Sequence, residues 1–180
     1  MSIEIIGQHL PIIEEGDKLP ELIEQETDYQ EDDVLVISET IVSRARGRTR
    51  KLEEVRVGEK AKQLSKENDK DPRICQLILN KASEIIATGE GFVITEINGL
   101  VCANAGIDLS NSKEGKAILP LKNPNKIAEE YSQKLGGGVI ISDSVGRSFR
   151  RGAVGLAIGY SGLSPFSSYI GQKDLFGREM

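Results

Sequence analysis

The 180-residue chain is 38% hydrophobic and 28% charged, a composition typical of a folded globular protein and not of a disordered one. Its 4% aromatic content, lack of Trp and formal net charge of -5 argue against a nucleic-acid-binding protein, because such proteins use exposed rings and basic surfaces. The length predicts one domain over residues 1–180, with room for a small subdomain, and the absence of a leader pattern or a membrane-length apolar run predicts a cytoplasmic protein.

The first predicted elements are a strand, a helix and a second strand. Alternating Ile residues within residues 3–6 predict a short first strand. Asp17 is the predicted cap of a helix over residues 18–26, where apolar side chains recur at helical spacing. The compact apolar run at residues 34–37 predicts the next strand.

Four arginines recur at every second position after this strand: Arg44, Arg46, Arg48 and Arg50. On an extended strand that period would place all four side chains on one face. Such a row is typical of a solvated edge strand whose charges discourage aggregation. An anion-binding row is the second interpretation.

Two helices and a hairpin are predicted in the middle of the chain. A largely charged helix covers residues 58–67, and the next helix begins at Asp71 as its cap, with an apolar stripe from Ile74 to Ile86. Strands at residues 92–95 and 100–103 are joined by an Asn-Gly pair, which strongly favours a hairpin turn.

The last predicted helix begins at Pro124 and carries an apolar stripe up to Leu135, and Gly136 can end it in the left-handed region. Strands at residues 139–141 and 154–158 follow. Helices and strands alternate irregularly along the chain. The predicted fold class is therefore α+β, a mixed β-sheet with flanking helices.

Several mechanisms are excluded by missing motifs. There is no Gly-x4-Gly-Lys-Ser/Thr loop for a nucleotide, and residues 89–91 lack the third Gly of a dinucleotide-binding turn. His9 is the sole histidine and lies outside any nucleophile elbow, which gives little support to a serine-hydrolase triad. Cys75 and Cys102 have no zinc-site spacing and are predicted to be free thiols.

Two acidic loops each follow a predicted strand. Asp108 lies in residues 104–111, and Asp143 lies in residues 140–147. Carboxylates at strand ends suit Mg²⁺ or Mn²⁺, and the hydroxyl of Ser144 could add a further ligand. In either loop alone, turn stabilisation is the better interpretation, because Asp and Asn often bond their own backbone there.

A basic turn lies directly beside the second acidic loop. It contains Arg147, Arg150 and Arg151. Cations next to a carboxylate–metal centre are what polyphosphate binding requires. The two loops and this turn together favour a metal–phosphate site over simple turns.

The same segments are similar to those of a known family. Residues 104–111, 140–147, 149–152 and 157–159 resemble motifs of the coenzyme F-420-0 gamma-glutamyl ligases. Supporting matches lie at residues 10–13, 15–17, 33–36, 42–43, 47–48 and 171–178, in the family's order and along the whole chain. Together these motifs are highly specific.

The resemblance implies the F-420-0 gamma-glutamyl ligase-like fold and a GTP-dependent ligase that needs two divalent ions, Mg²⁺ or Mn²⁺, and a monovalent ion, K⁺. In such enzymes GTP activates the lactyl carboxylate of a deazaflavin precursor, F-420-0, as an acyl phosphate. The amine of L-glutamate then attacks, and a second glutamate is added through the gamma-carboxylate of the first. The resemblance also implies a homodimer. Composition, charge and the lack of a membrane-length apolar run give no reason to expect a nucleic-acid or membrane partner.

Residue roles follow by match to the family motifs. Asp108 and Asp143 would hold one metal ion and Ser144 a second, and Asp108, Asp143 and Arg147 form the expected catalytic set. Arg147 and Arg150 are expected to contact phosphates of GTP or of the precursor. The residues expected at the nucleotide are Leu10, Pro11, Ile12, Ile13, Glu39, Thr40, Arg44 and Asn111.

The chain departs from the family pattern in four places. Arg44 stands where Lys is usual, Arg46 where an acidic residue is common, and Ser144 where Thr is usual. An Arg fork differs from a Lys point charge, so phosphate geometry is expected to differ. Family members also continue past position 180 into a segment that completes the nucleotide site, so a shortened piece, a second polypeptide and a natural loss are all open.

Two other functions stay open. The first is a binding protein that holds a nucleotide or a flavin-like phosphate without turnover. The second is a ligase of the same family that acts on another carboxylate. Glutamate-dependent release of GDP separates a ligase from a binding protein, and the mass of the product separates the two ligases.

Overall fold

The computed structural model describes residues 3–146 and 148–180, which form a mixed α+β fold, as the sequence predicts. The helices are α1 (Leu19–Glu26), α2 (Glu39–Ala45), α3 (Glu59–Asn68), α4 (Pro72–Lys81) and α5 (Pro124–Leu135). The strands are β1 (Val34–Ser38), β2 (Thr49–Lys51), β3 (Glu84–Gly89), β4 (Phe92–Ile97), β5 (Leu100–Ala103), β6 (Lys116–Ile118), β7 (Gly138–Gly146) and β8 (Ala153–Ser161).

The strands form three small sheets. In the first, β7 lies between β1, to which it is parallel, and β8, to which it is antiparallel. Strands β3, β4 and β5 form an antiparallel meander, and β2 pairs antiparallel with β6. No helix in the part of the chain that the structure describes is long and apolar enough to cross a membrane.

Two hydrophobic clusters hold these sheets. The first packs α1, α2 and α5 against β1 and β7, with fully buried Leu19, Val42 and Val139 at its centre. The second packs α3 and α4 against β4 and β6, around Ile78 and Val93. Each helix contributes one apolar stripe, which is why the helical spacing in the sequence locates it.

The predicted hairpin and the last helix are confirmed. Strands β4 and β5 pair antiparallel, and the turn between them has Asn98 at φ 52° and Gly99 at φ 82°, the left-handed conformation that an Asn-Gly pair tolerates best. Helix α5 ends at Gly136, whose φ is 86°. The predicted strand at residues 34–37 is β1, and the helix at residues 58–67 is α3.

The predicted first strand is wrong. Residues 3–6, which the structure describes, form no strand, and the side chains of Ile3 and Ile5 are 88% and 93% exposed. Alternating apolar residues form a strand only where a partner strand offers hydrogen bonds, and residues 3–6 have no such partner among the residues that the structure describes. Asp17 is also not the cap of α1: Lys18 is, and the Asp17 carboxylate accepts from the Glu14 N–H at 2.7 Å.

The apolar stripe after Asp71 spans two elements, not one helix. Asp71 caps α4 as predicted, since its carboxylate accepts from the Arg73 N–H at 2.8 Å. The helix ends at Lys81, however, and Ile85 and Ile86 lie in β3. Pairing of β3 with β4 stabilises the extended backbone there, so tertiary contacts override the local helical spacing.

The four arginines do not share a strand. Arg44 lies in α2, Arg46 follows it in a turn, and only Arg50 lies in β2. Arg46 pairs with Glu130 and Arg50 with Glu54, while Arg48 donates to the Pro120 carbonyl at 2.9 Å. The four arginines therefore contact different partners. The chain turns between the second and the third of them, at Gly47, whose φ is 62°.

Strand β7 is longer than predicted. It runs from Gly138 to Gly146, so Asp143 and Ser144 lie inside the strand and not in a loop after it. Its extension is stabilised by β8, which pairs with it up to the Gly146–Ala153 position. The three-residue strand β6 was not predicted, since it is too short for an alternation to show.

Candidate functional site

A cleft of about 370 Å³ lies between elements of the two hydrophobic clusters. One wall is the start of α2, a second is the segment from β5 to Ser110, and a third is the outer half of β7. The residues that line it include Ser38, Glu39, Thr40, Ser43, Cys102, Asp108, Ser110, Asp143 and Ser144. Side chains from distant parts of the sequence thus meet in one polar cleft.

Asp108 is fixed in this cleft by its own backbone. A 3-10 turn (Asn104–Gly106) follows β5, and Asp108 then pairs with Ile118 through N–H to carbonyl bonds of 3.1 and 2.8 Å. Its carboxylate accepts from the Ser110 N–H at 2.7 Å and from the Ser110 hydroxyl at 2.8 Å. Part of the predicted turn-stabilising role is therefore present.

Asp143 reaches the same cleft from β7. Its carboxylate is half-buried and accepts from the Ser144 N–H at 2.8 Å. Burial raises the pKa of Asp143, and the negative charge of Asp108 raises that pKa further. The two carboxylates are thus close enough to repel each other, and a shared cation would relieve that repulsion.

Glu39 is a third carboxylate at this cleft, at the first position of α2. It is 8% exposed, and one carboxylate oxygen accepts from the Leu121 N–H at 2.7 Å. Burial raises the pKa of Glu39 to about 7, and the charge of Asp143 adds to the rise, while Arg48 opposes it. Near neutral pH this group therefore exchanges a proton easily.

The donors of the cleft suit a metal ion that also binds a ligand. Among the described residues, no group of three or more His, Cys, Asp and Glu side chains could hold an ion by itself. Two mutually repelling carboxylates and the nearby Ser144 do lie in the cleft. Mg²⁺ commonly takes one or two carboxylates and completes its shell with phosphate oxygens and water, so this set fits a nucleotide-bound ion.

The residues expected at the nucleotide are only partly brought together. Thr40 and Glu39 line the cleft, while Arg44 donates to the Asn111 carbonyl at 2.8 Å beside a smaller hollow of about 50 Å³. Ile118 lines both the cleft and this hollow.

The segment from Leu10 to Ile13 lies outside the lining of the cleft. Ile13 is 5% exposed in the first hydrophobic cluster and Leu10 packs against it, whereas Pro11 and Ile12 are exposed. Arg150 and Arg151 are exposed in the connection between β7 and β8. Arg147, an expected catalytic residue, lies outside the described residues.

Several lining residues were not predicted. Ser43 is fully buried on α2, four residues after Glu39, and its hydroxyl has no hydrogen-bond partner among the described residues. Ser38 and Cys102 also line the cleft. The i, i+4 spacing of Glu39 and Ser43 could have shown a shared helical face, but the alternating arginines favoured a strand at this position. Cys75 and Cys102 are free thiols, as predicted.

A second compartment of about 560 Å³ adjoins the cleft. Glu39, Cys102 and Asp143 line both spaces. The remaining lining comes from the β4–β5 hairpin, β8 and the segment that leads into α5, and includes Ile97, Leu100, Lys122, Asn123, Lys126, Leu156 and Ile158. This compartment is more apolar than the cleft.

Comparisons with known proteins agree with the resemblance. The family described as F420-0:Gamma-glutamyl ligase matches residues 7–180. The chain is 46% identical to the Coenzyme F420:L-glutamate ligase of Methanocaldococcus jannaschii, over 99% of this chain and 75% of that protein. The proteins of the same name from Archaeoglobus fulgidus and Methanopyrus kandleri are 41% and 42% identical, over 100% and 92% of this chain and 75% and 68% of theirs. A match over nearly the whole chain shows that it belongs to the F420-0:Gamma-glutamyl ligase family.

Proposed function

We propose that the chain is a GTP-dependent ligase that joins L-glutamate to the lactyl carboxylate of the deazaflavin precursor F-420-0. The observation that carries this proposal is the meeting of Asp108 and Asp143 in one cleft in a chain of this family. Relatives named Coenzyme F420:L-glutamate ligase support the choice of substrates.

The cleft would bind the phosphates of GTP together with divalent ions. Asp108 and Asp143 would hold one ion and the Ser144 hydroxyl would contribute to a second, Mg²⁺ or Mn²⁺ in each case. Such ions would supply positive charge against the β- and γ-phosphate oxygens. Mutual repulsion of the two carboxylates supports this role, because a cation would relieve it. A K⁺ ion is a further expected cofactor.

The nucleotide would extend toward the smaller hollow. Arg44 and Asn111 lie together there, next to the cleft, and Glu39 and Thr40 line the cleft itself. Leu10, Pro11, Ile12 and Ile13 remain proposed nucleotide contacts, with backbone groups as the more suitable donors because Ile13 is buried. Arg147 and Arg150 are proposed phosphate contacts.

The reaction would proceed in two steps. An oxygen of the lactyl carboxylate attacks the γ-phosphorus of GTP, the bond to the β-phosphate oxygen breaks, and GDP leaves. The amine of L-glutamate then attacks the acyl carbon, loses a proton and displaces inorganic phosphate, which forms the amide. A second round through the gamma-carboxylate of the added glutamate would extend the product. Positioning and charge neutralisation by the cleft residues would carry most of the rate enhancement.

Release of GDP tests this function directly. The purified chain is incubated with GTP, Mn²⁺ or Mg²⁺, L-glutamate and F-420-0, and both GDP and the mass of the product are measured. We expect repeated turnover to GDP only when all four are present, and a product heavier by one or two glutamyl units. Release of many equivalents of GDP per chain without glutamate would contradict amide formation, whereas up to one equivalent is expected from the acyl phosphate. Binding without any release would favour a nucleotide-binding protein.

A substitution at Asp108 tests whether the cleft is the site of turnover. We expect Asp108→Asn to lower turnover by about two orders of magnitude, since one stabiliser of developing charge is lost. Asp28→Asn, a neutral change at an exposed aspartate away from the cleft, is the matched control and should leave turnover unchanged. Full activity of Asp108→Asn would overturn the assignment.

We also propose that the chain forms a homodimer. Apolar side chains near both ends of the chain are exposed, among them Ile3, Ile5, Phe166, Ile170 and Leu175. Exposed apolar patches are typical of surfaces that a partner covers. A second copy of the chain is the occupant that the family resemblance favours.

A further inference from the structure

The apolar compartment beside the cleft is the feature from which we infer a further site. Its volume of about 560 Å³ falls within the range of pockets that hold ligands with several fused rings. Ile97, Leu100, Leu156 and Ile158 supply its apolar lining. Chemistry on metal-bound phosphates does not need an apolar lining. A ligand with a hydrophobic portion explains this lining better.

The compartment is continuous with the proposed reaction centre. Leu156 lies directly opposite Asp143 in the β7–β8 ladder, so their side chains are on the same face of the sheet. Glu39 and Asp143 line both spaces. A ligand whose ring rests on the apolar lining can therefore extend a carboxylate into the cleft.

Two lysines contribute positive charge to part of the compartment lining. Lys122 and Lys126 line the compartment, and the charges of Lys122 and Arg48 both act on Lys81. Burial lowers the pKa of Lys81, and the positive charges of Arg48 and Lys122 lower it further. Within the part of the chain that the structure describes, none of these four cations forms a salt bridge. An anionic ligand group would offset their repulsion.

We propose that this compartment is the subsite for the ring-bearing carboxylate substrate. Its fused ring would pack on Leu100, Leu156 and Ile158, its anionic phosphate would face Lys122 and Lys126, and its reacting carboxylate would enter the cleft. The nucleotide would occupy the opposite side, because Arg44, which donates to the Asn111 carbonyl, borders a hollow that adjoins the cleft and shares no lining residue with the compartment. This inference rests on the proposed function.

Two adjacent residues of β5 provide a matched test. Leu100 lines the compartment but not the cleft, whereas Val101 lines neither and is 58% exposed. Binding of F-420-0 is followed by the fluorescence of its own ring, and binding of GDP with Mn²⁺ by calorimetry. We expect Leu100→Glu to raise the Kd for F-420-0 by about tenfold or more and Val101→Glu by less than about twofold. The Kd for GDP should stay within about twofold in both variants.

A second variant keeps the test valid if Leu100→Glu does not fold. Lys122→Ala/Lys126→Ala changes only exposed side chains and should also weaken F-420-0 binding, by an amount that falls with added salt, while the exposed Lys60→Ala should not. Unchanged F-420-0 affinity in the folded variants would overturn the subsite. Weakened GDP binding in place of F-420-0 binding would assign the compartment to the nucleotide and overturn it as well. Failure of the unmodified chain to bind F-420-0 at all would instead contradict the proposed function.

Discussion

Glu39 is the residue whose charge the fold controls most strongly. Its pKa is raised from an ordinary value of 4.5 to about 7, chiefly by burial. The folded state therefore binds more protons than the unfolded chain between these two pH values. The contribution of Glu39 to stability is greatest below the unfolded pKa and is lost as the pH rises through about 7, at a total cost of about 3 kcal/mol.

We predict that Glu39→Gln removes this pH dependence. The amide still accepts from the Leu121 N–H but carries no charge. Urea denaturation of the metal-free protein gives the unfolding free energy of Glu39→Gln and of the unmodified chain at each pH. The difference, Glu39→Gln minus the unmodified chain, should be about 2 kcal/mol larger near pH 8 than near pH 5. Glu53→Gln, an exposed change, is the control. An equal effect at both pH values would show that burial does not set the charge of Glu39.

Asp143 should show a conflict between stability and activity. Its pKa is raised by burial and by the charge of Asp108, so its ionised form destabilises the folded state at neutral pH. We predict that Asp143→Asn raises the unfolding free energy of the metal-free protein near pH 7 while turnover falls by about two orders of magnitude. Denaturation and GDP release measure the two effects. A less stable variant would mean that Asp143 serves a structural role.

For single residues, the sequence predicts which side chains share a site better than it predicts their protonation state or hydrogen bonding. Asp108 and Asp143 were selected from two acidic segments, and both line one cleft. The raised pKa of Glu39 could not be predicted, because it depends on burial against Leu121, far away in the sequence. The Ser43 hydroxyl has no hydrogen-bond partner among the described residues, and this likewise follows only from tertiary packing.

Among the helices, strands and turns, the sequence predicts correctly those features that depend only on neighbouring residues. The Asn98-Gly99 turn and the Asp71 cap each depend on a few neighbouring residues, and both are confirmed. The apolar stripe through Ile85 was misread, because strand pairing with β4 decides its conformation. The predicted strand of alternating arginines failed for the same reason, since α2 forms against the first hydrophobic cluster.

The cap of α4 gives a prediction at this scale. The Asp71 carboxylate accepts from the Arg73 N–H at 2.8 Å and pairs with the Arg73 side chain at 2.5 Å. We predict that Asp71→Ala lowers the unfolding free energy by about 1 kcal/mol, the usual effect of removing a helix cap. Chemical denaturation measures it, with the exposed Asp28→Ala as control. No loss of stability would mean that the cap contributes nothing in this fold.

The packing of α5 on β8 gives a second prediction about the elements. A methyl group at Gly159 would lie 2.5 Å from the Pro124 carbonyl carbon, so only Gly allows the helix to start against the strand. We predict that Gly159→Ala lowers the unfolding free energy by about 1–3 kcal/mol, because rigid backbone atoms must move apart. Gly7→Ala, where a methyl group meets nothing within 4 Å, is the control. Equal stability of the two variants would contradict this close approach.

At the scale of the whole molecule, the cleft lies between two hydrophobic clusters, and this position is what brings its acidic side chains together. α2 and β7 belong to the first cluster and the segment around Ile107 to the second, and the acidic side chains are carried by both. The sequence predicts the α+β class and most of the helices. It does not predict which strands pair, because β1 with β7 and β2 with β6 are contacts between distant segments.

The exposed apolar ends predict association of the whole molecule. Light scattering after size exclusion should give a mass of about 39 kDa, twice the 19.6 kDa of one chain. Ile5→Asp/Leu175→Asp places two charges in these segments and should shift the protein toward the monomer, whereas Lys60→Asp should not. A monomeric unmodified chain would contradict the proposed homodimer.

The most direct measurement is a calorimetric titration of GDP in the presence and absence of Mn²⁺, with the unmodified chain and with Asp108→Asn. If Asp108 and Asp143 hold an ion that binds the nucleotide phosphates, Mn²⁺ should tighten GDP binding by about tenfold or more, and Asp108→Asn should remove this dependence. GDP affinity that is unaffected by Mn²⁺, or equally Mn²⁺-dependent in Asp108→Asn, would contradict the proposed metal–phosphate site.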